Sequence, residues 1–238
     1  MEMASANVIL VCVRDPQIDE TLEELVAAAK SGLVQRGTVI LHTSAIAEPE
    51  GLTALSAAGF PGGTFHPLVP FSDPEVAAEL LRKGWVGIDG ENAARSASRR
   101  LAGHLGARTV DIPAGKKAAY HAAAVISSNF PVVLASVAGH LLHDIGIADS
   151  SAYQAVESLM SGALANMKHA LPDDALTGPV VRGDAETVKK HLSALRGHGA
   201  ASEVYRALSA AAAEIAERRG TDPKKLAAVG AVIRSHAK

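Results

Sequence analysis

Up to Ile112 the chain is written in short aliphatic and β-branched runs separated by helical patterns, and beyond Pro113-Ala-Gly115 those runs stop and long alanine- and leucine-rich stretches continue. This change of period constrains the fold more than any other feature. Alternating strand and helix signals stack as a parallel α/β layer, whereas an unbroken 3.6-residue period packs helix on helix. The expected architecture is a partial parallel sheet of Rossmann-like type in a domain 1–113, followed by an all-helical domain 114–238. Strands are predicted at Val8–Val13, Thr38–His42, Gly63–Phe65, Trp85–Ile88 and Thr109–Ile112. Helices are predicted at 15–30, opened by Asp15-Pro16, and at 49–58, 92–105, 116–145, 150–169, 185–196, 202–219 and 223–236. Pro131 is expected to kink or interrupt the long one. Asp184 and Asp222 read as N-caps, and Gly146 and Gly220 as stops.

The chemistry-bearing residues fall at predicted strand ends and at the start of one helix. Arg14-Asp15 follows the first strand, His42-Thr43-Ser44 the second and His66-Pro67 the third, and open α/β sheets bind ligands at such exits. Each has an alternative reading as a cap or turn residue. In the helix from 116, at about 100° per residue, Lys117, Tyr120, His121, Ala124 and Ser128 share a face, with Asn129 at its margin. A lysine in the first helical turn faces the positive end of the dipole and suits proton donation, with His121 one turn on as its assistant. A solvated helix start with a packing histidine is the plainer reading of the same residues. The loop Leu176–Asp184 carries two glycines, a proline and Arg182, and serves either an anion or helix capping.

Several classes are excluded. A net charge of −2 with interspersed signs gives no field for nucleic acid or an anionic membrane. No apolar run approaches the ~20 residues of a bilayer span. The single Cys12 reads as core within a strand, which fits a reducing, cytoplasmic setting. His140-x-x-His143-Asp144 lacks a third ligand, so no metal is expected.

Val11–Ile18, Leu41–Ser44, Phe65–Phe71, Lys117–Ala124, Ser128-Asn129 and Leu176–Asp184 together resemble, in order, the Rossmann-like oxidoreductases with a C-terminal domain of unknown function 2520. These proteins are similar in architecture to the 6-phosphogluconate dehydrogenase and ketopantoate reductase superfamily. The resemblance implies an NADP-dependent reductase of a small 2-oxo acid, or dehydrogenase of a hydroxy acid, that dimerises through its helical domain. It implies Lys117 and His121 as catalytic residues and His66, Ser128 and Asn129 at the substrate. Arg14, Asp15, Thr43 and Ser44 would then line the nicotinamide end of the cofactor. His121 stands where the wider superfamily has a substrate-binding asparagine. Such proteins open with a strand, a glycine-rich turn and a helix that grip the pyrophosphate, whereas this chain runs from Met1 almost directly into Val8–Val13. One edge of that strand is therefore expected to be open to association, or else the coding start lies upstream. The competing expectation is a non-catalytic dimeric scaffold or binding module.

Overall fold

Branched aliphatic residues without polar alternation make strands buried on both faces. Val39–His42 (β2) is buried at all four positions, between Val8–Val11 (β1) and Gly62–Pro67 (β3). Trp85–Gly90 (β4) and Arg108–Asp111 (β5) complete a five-stranded sheet in the order β1-β2-β3-β4-β5. The computed structural model describes residues 5–235 and divides into two compact units, Met1–Phe130 and Pro131–Lys238.

The strands β1, β2 and β3 are parallel, but β4 pairs antiparallel with β3, and β5 is parallel to β4. The expected wholly parallel sheet is thus corrected to a mixed one. The chain leaving β3 stays at that end of the sheet: Leu68 N–H donates to Trp85 O at 2.8 Å, and Pro67 lies opposite Val86. A parallel β4 would have required a crossover to the other end. The intervening helix, Pro74–Leu81, was not predicted.

On one face of the sheet, Leu41, Phe65, Val86 and Ile88 pack against Ala94, Ala97 and Ala102 of the helix Asn92–His104. On the other, Val11 and Ile40 pack against Ile18, Leu22 and Leu25 of Ile18–Lys30, and against Leu55 of Glu50–Ala57. Ile18, Leu22 and Leu25 recur at helical spacing, and fully burying such side chains contributes roughly 1.5–3 kcal/mol each. In chain order these helices are α1 (Ile18–Lys30), α2 (Glu50–Ala57), α3 (Pro74–Leu81) and α4 (Asn92–His104). Asp15–Gln17 forms a short 3-10 turn ahead of α1 rather than its first turn. Cys12, expected in the core, is exposed. It lies just past the end of β1, and the period of the strand turns it to the face of the exposed Leu10.

The helix α5, Lys117–Asp144, continues through Pro131, so of the two expected effects interruption does not occur. Proline removes a single N–H, and its ring is accommodated here without ending the helix. The first turns of α5 pack on the sheet, and the compact units divide at Phe130/Pro131. By length and composition α5 could also cross a membrane, with a mean hydropathy of 1.6 over its best window. The expectation that no apolar run approaches a bilayer span is corrected by this helix on length and composition alone.

The second unit contains α6 (Asp149–Asn166), α7 (Pro172–Ala175), α8 (Ala185–Ala194), α9 (Gly199–Arg218) and α10 (Pro223–Ser235). Val188, Leu192, Val229 and Ile233 form its core with Val180. Asp184 caps α8 by accepting from Thr187 N–H at 3.0 Å, and Asp222 accepts from Lys224 N–H at 2.8 Å, as the sequence predicted. Gly146 and Gly220 adopt positive φ at helix ends, again as predicted.

Candidate functional site

The register places His42 beside Thr64, and Thr64 beside Asp89, across β2, β3 and β4. Side chains alternate along a strand, so this row, together with His66 and Gly87, lies on the face that also carries Val11 and Ile40. The start of α5 covers the row. Lys117 Nζ donates to Ala47 O at 2.6 Å and pairs with Asp89 Oδ2 at 3.2 Å. Asp89 Oδ1 accepts from Thr64 N–H at 3.0 Å. Thr64 Oγ1 lies 3.1 Å from His42 Nε2, and both side chains are fully buried. Burial, and after it the Lys117 charge, push the His42 imidazole down to about 4, so it is neutral at physiological pH.

One turn along α5, Tyr120 reaches the next position of the same face. Its hydroxyl lies 2.8 Å from His66 Nδ1, in a niche that exists because residue 87 has no side chain. The two rings meet edge to face with centroids 5.6 Å apart, and the His121 ring stands 6.3 Å from that of His66. Burial first, then repulsion from His121, hold His66 down at about 4, while burial pushes the Tyr120 phenol up to about 12. Both partners are therefore neutral over the whole physiological range. His121 Nδ1 is buried with no hydrogen-bond partner. His66 Nε2 has none among the described residues either.

The remaining predicted residues are placed as follows. Arg14 and Asp15 are exposed at the exit of β1, and the Asp15 carboxylate acts electrostatically on both His42 and His66. Thr43 Oγ1 donates to Val11 O at 3.4 Å. Ser44 Oγ accepts from Ile46 and Ala47 N–H at 3.3 and 3.0 Å, which shapes the exit of β2. Because β1, β2 and β3 are parallel neighbours, these exits and His66 share one rim of the sheet. Lys117, expected as a proton donor, is buried between Ala47 and Asp89. Ser128 and Asn129 are exposed farther along α5, with no hydrogen bond to the cluster. Sequence reasoning did not single out Asp89 or Gly87. A carboxylate and a glycine inside the apolar run Trp85–Gly90 were the signals available.

The residues that could hold the nicotinamide end of a dinucleotide are the polar exits of β1 and β2, and His42 Nδ1, His121 Nδ1 and His66 Nε2 have no hydrogen-bond partner among the described residues. The pyrophosphate is a different matter. The link from β1 to α1, Cys12 to Gln17, contains no glycine, so no glycine-rich phosphate cradle stands at this exit. Among the described residues no cluster could hold a metal ion.

The family model described as "Domain of unknown function (DUF2520)" matches residues 85–212. Protein TM1727 from Thermotoga maritima is 26% identical with a TM-score of 0.70, covering 88% of this chain and 78% of that one. A putative NADP oxidoreductase, BF3122 from Bacteroides fragilis, is 19% identical with a TM-score of 0.66, covering 88% and 76%. The pyrroline carboxylate reductase of Plasmodium falciparum, solved with NADP bound, is 11% identical with a TM-score of 0.56, covering 94% and 81%. These likenesses establish the Rossmann-like fold. No curated protein matches the chain.

Proposed function

This chain belongs to the DUF2520 family, and from that premise we propose that it is an NADP-dependent oxidoreductase acting on a small 2-oxo acid or the corresponding hydroxy acid. The observation that carries the reading is the shared rim: Arg14-Asp15 and Thr43-Ser44 follow two parallel strands whose neighbour carries His66 near its end, and Tyr120 and His121 stand against His66. The names of the Bacteroides and Plasmodium neighbours support NADP as the dinucleotide. Bound there, the cofactor supplies hydride, and the chain supplies orientation and a proton. Arg14, Asp15, Thr43 and Ser44 would hold its nicotinamide end, with the reacting group of the substrate near His66; Ser128 and Asn129, expected at the substrate, lie too far along α5 to share that position.

The sequence assigns the proton to Lys117, assisted by His121. The hydrogen bond to Ala47 and the ion pair with Asp89 favour a different task for this ammonium, that of clamping the exit of β2 to β4. To act as the acid it would have to leave both partners.

Titration of the purified protein with NADPH, followed by cofactor fluorescence, tests the reading. Saturable binding in the micromolar range is expected. Absence of binding would instead favour the non-catalytic scaffold, the reading supported by the lack of a glycine cradle after β1.

We further propose a cytoplasmic homodimer formed through the helices. Val132 is 70% and Leu159 74% exposed, and Ile126, Phe130 and Leu164 are exposed as well. Large exposed apolar side chains on α5 and on α6 are a means of association with another chain. The histidines and Asp144 on α5 fit a protein partner better than lipid. The unpaired edge of β1 offers a second surface for association. Light scattering should give twice the chain mass, and V132E with L159E should shift it to the monomer; a parent protein already monomeric would overturn the proposal.

A further inference from the structure

We propose that Tyr120 fixes the tautomer of His66, so that Nε2–H of a neutral imidazole is the donor that meets the carbonyl oxygen of the substrate. This deepens the oxidoreductase reading and rests on it. It moves the acid from an ammonium to a phenol–imidazole relay.

The argument begins with the phenol. Its oxygen has one partner among the described residues, His66 Nδ1 at 2.8 Å, and it sits against the backbone of β4 in the niche at Gly87. If Nδ1 carried the proton and donated to this oxygen, the phenolic O–H would be left without an acceptor in a partly buried position, at a cost of roughly 1–3 kcal/mol. The arrangement that satisfies both groups has Tyr120 O–H donating to an unprotonated Nδ1. A neutral imidazole has a single N–H, which must then be at Nε2. That nitrogen is the unpartnered atom of the ring, on the strand whose end reaches the rim.

The buried, unpartnered Nδ1 of His121 stands beside it and is a second polar atom for the same ligand. Lys117 does not compete, because its ammonium is engaged by Ala47 O and Asp89. A site whose free groups are a neutral N–H and a second imidazole selects an acceptor oxygen.

The proton balance closes on these residues. As a carbonyl carbon gains hydride, its C=O π pair moves to oxygen, which takes the proton from His66 Nε2. The N–H pair returns to the ring, Nδ1 takes the phenolic proton of Tyr120, and the phenolate recovers one from water. The substrate gains two electrons, and the reduced nicotinamide of the proposed function is the group oxidised. The direction is favourable: the phenol, at about 12, is a stronger acid than an alcohol, which is about as weak as water at roughly 15.7.

The test reads the tautomer first. In ¹⁵N-labelled protein, long-range ¹H–¹⁵N spectra should show His66 with a pyridine-like Nδ1 and a pyrrole-like Nε2, and a protonation midpoint near 4. Tyr120→Phe, which keeps the ring and its packing, should convert His66 to a mixture of tautomers. A pyrrole-like Nδ1 in the parent, or unchanged His66 signals in the variant, would overturn the inference. The second arm measures NADPH oxidation with a panel of 2-oxo acids headed by ketopantoate. Y120F should lower kcat by about 100-fold with little change in KM, the scale of a lost general acid. No turnover by the parent overturns the oxidoreductase reading and the proton-transfer role with it. Turnover by a parent with the opposite tautomer overturns only the relay.

Discussion

Replacing Lys117 with Met is expected to destabilise the protein by about 3–5 kcal/mol, the scale of removing one partner from a buried ion pair. The lysine side chain is 7% exposed and the Asp89 side chain 22%. Methionine fills much of the same volume, so the loss is not one of packing. What remains is a partly buried carboxylate with Oδ1 held by Thr64 N–H and Oδ2 unpaired, together with an unbonded Ala47 carbonyl. Urea denaturation should show a lower midpoint with an unchanged slope. Pairing the change with Asp89→Asn should restore at least half of the loss, because the amide still accepts from Thr64 while the stranded charge is gone. A single variant as stable as the parent would remove the clamp from the account and return the ammonium to the role of a free proton donor.

The two halves of this cluster differ in how far the sequence exposes them. The α5 segment is legible: Lys117, Tyr120 and His121 share a face by simple helical geometry, and the structure brings all three onto the sheet. Which strand they meet is not legible. Asp89 faces Lys117 because β4 runs antiparallel to β3, and that direction depends on the unpredicted α3 returning the chain to the same end of the sheet. The local signal for α3 was present. Asp73 accepts from Glu75 and Val76 N–H at 2.8 and 3.1 Å, and Pro74 occupies the first turn, the Asp-Pro pattern that was read as a helix start at Asp15. The pattern misleads at Asp15, where a 3-10 turn comes first and the side chain makes no capping bond. Strand alternation explains the error at Cys12 in the same way: the sequence gives the period, but not which face is covered. Ser128 and Asn129 share the stripe yet lie too far along α5 to reach the row on β3 and β4.

Gly87→Ala is expected to cost about 1–3 kcal/mol in stability through overpacking, and to abolish the Tyr120–His66 hydrogen bond. A Cβ at this position would overlap the Tyr120 hydroxyl and come within 3.1 Å of Ile112 Cδ1. The strand backbone cannot retreat, because β4 is bonded to β3 on one side and to β5 on the other. Tyr120 must therefore rotate or α5 must lift, and in either case Nδ1 of His66 loses its donor. The stability loss should be smaller in a Tyr120→Leu background, where the ring that collides with the new methyl is gone, and that coupling separates a clash with Tyr120 from general damage to the sheet. If G87A leaves the His66 tautomer and the denaturation midpoint at their parental values, the phenol does not occupy the glycine niche in solution, and the geometric basis for an imidazole donor at this rim is lost.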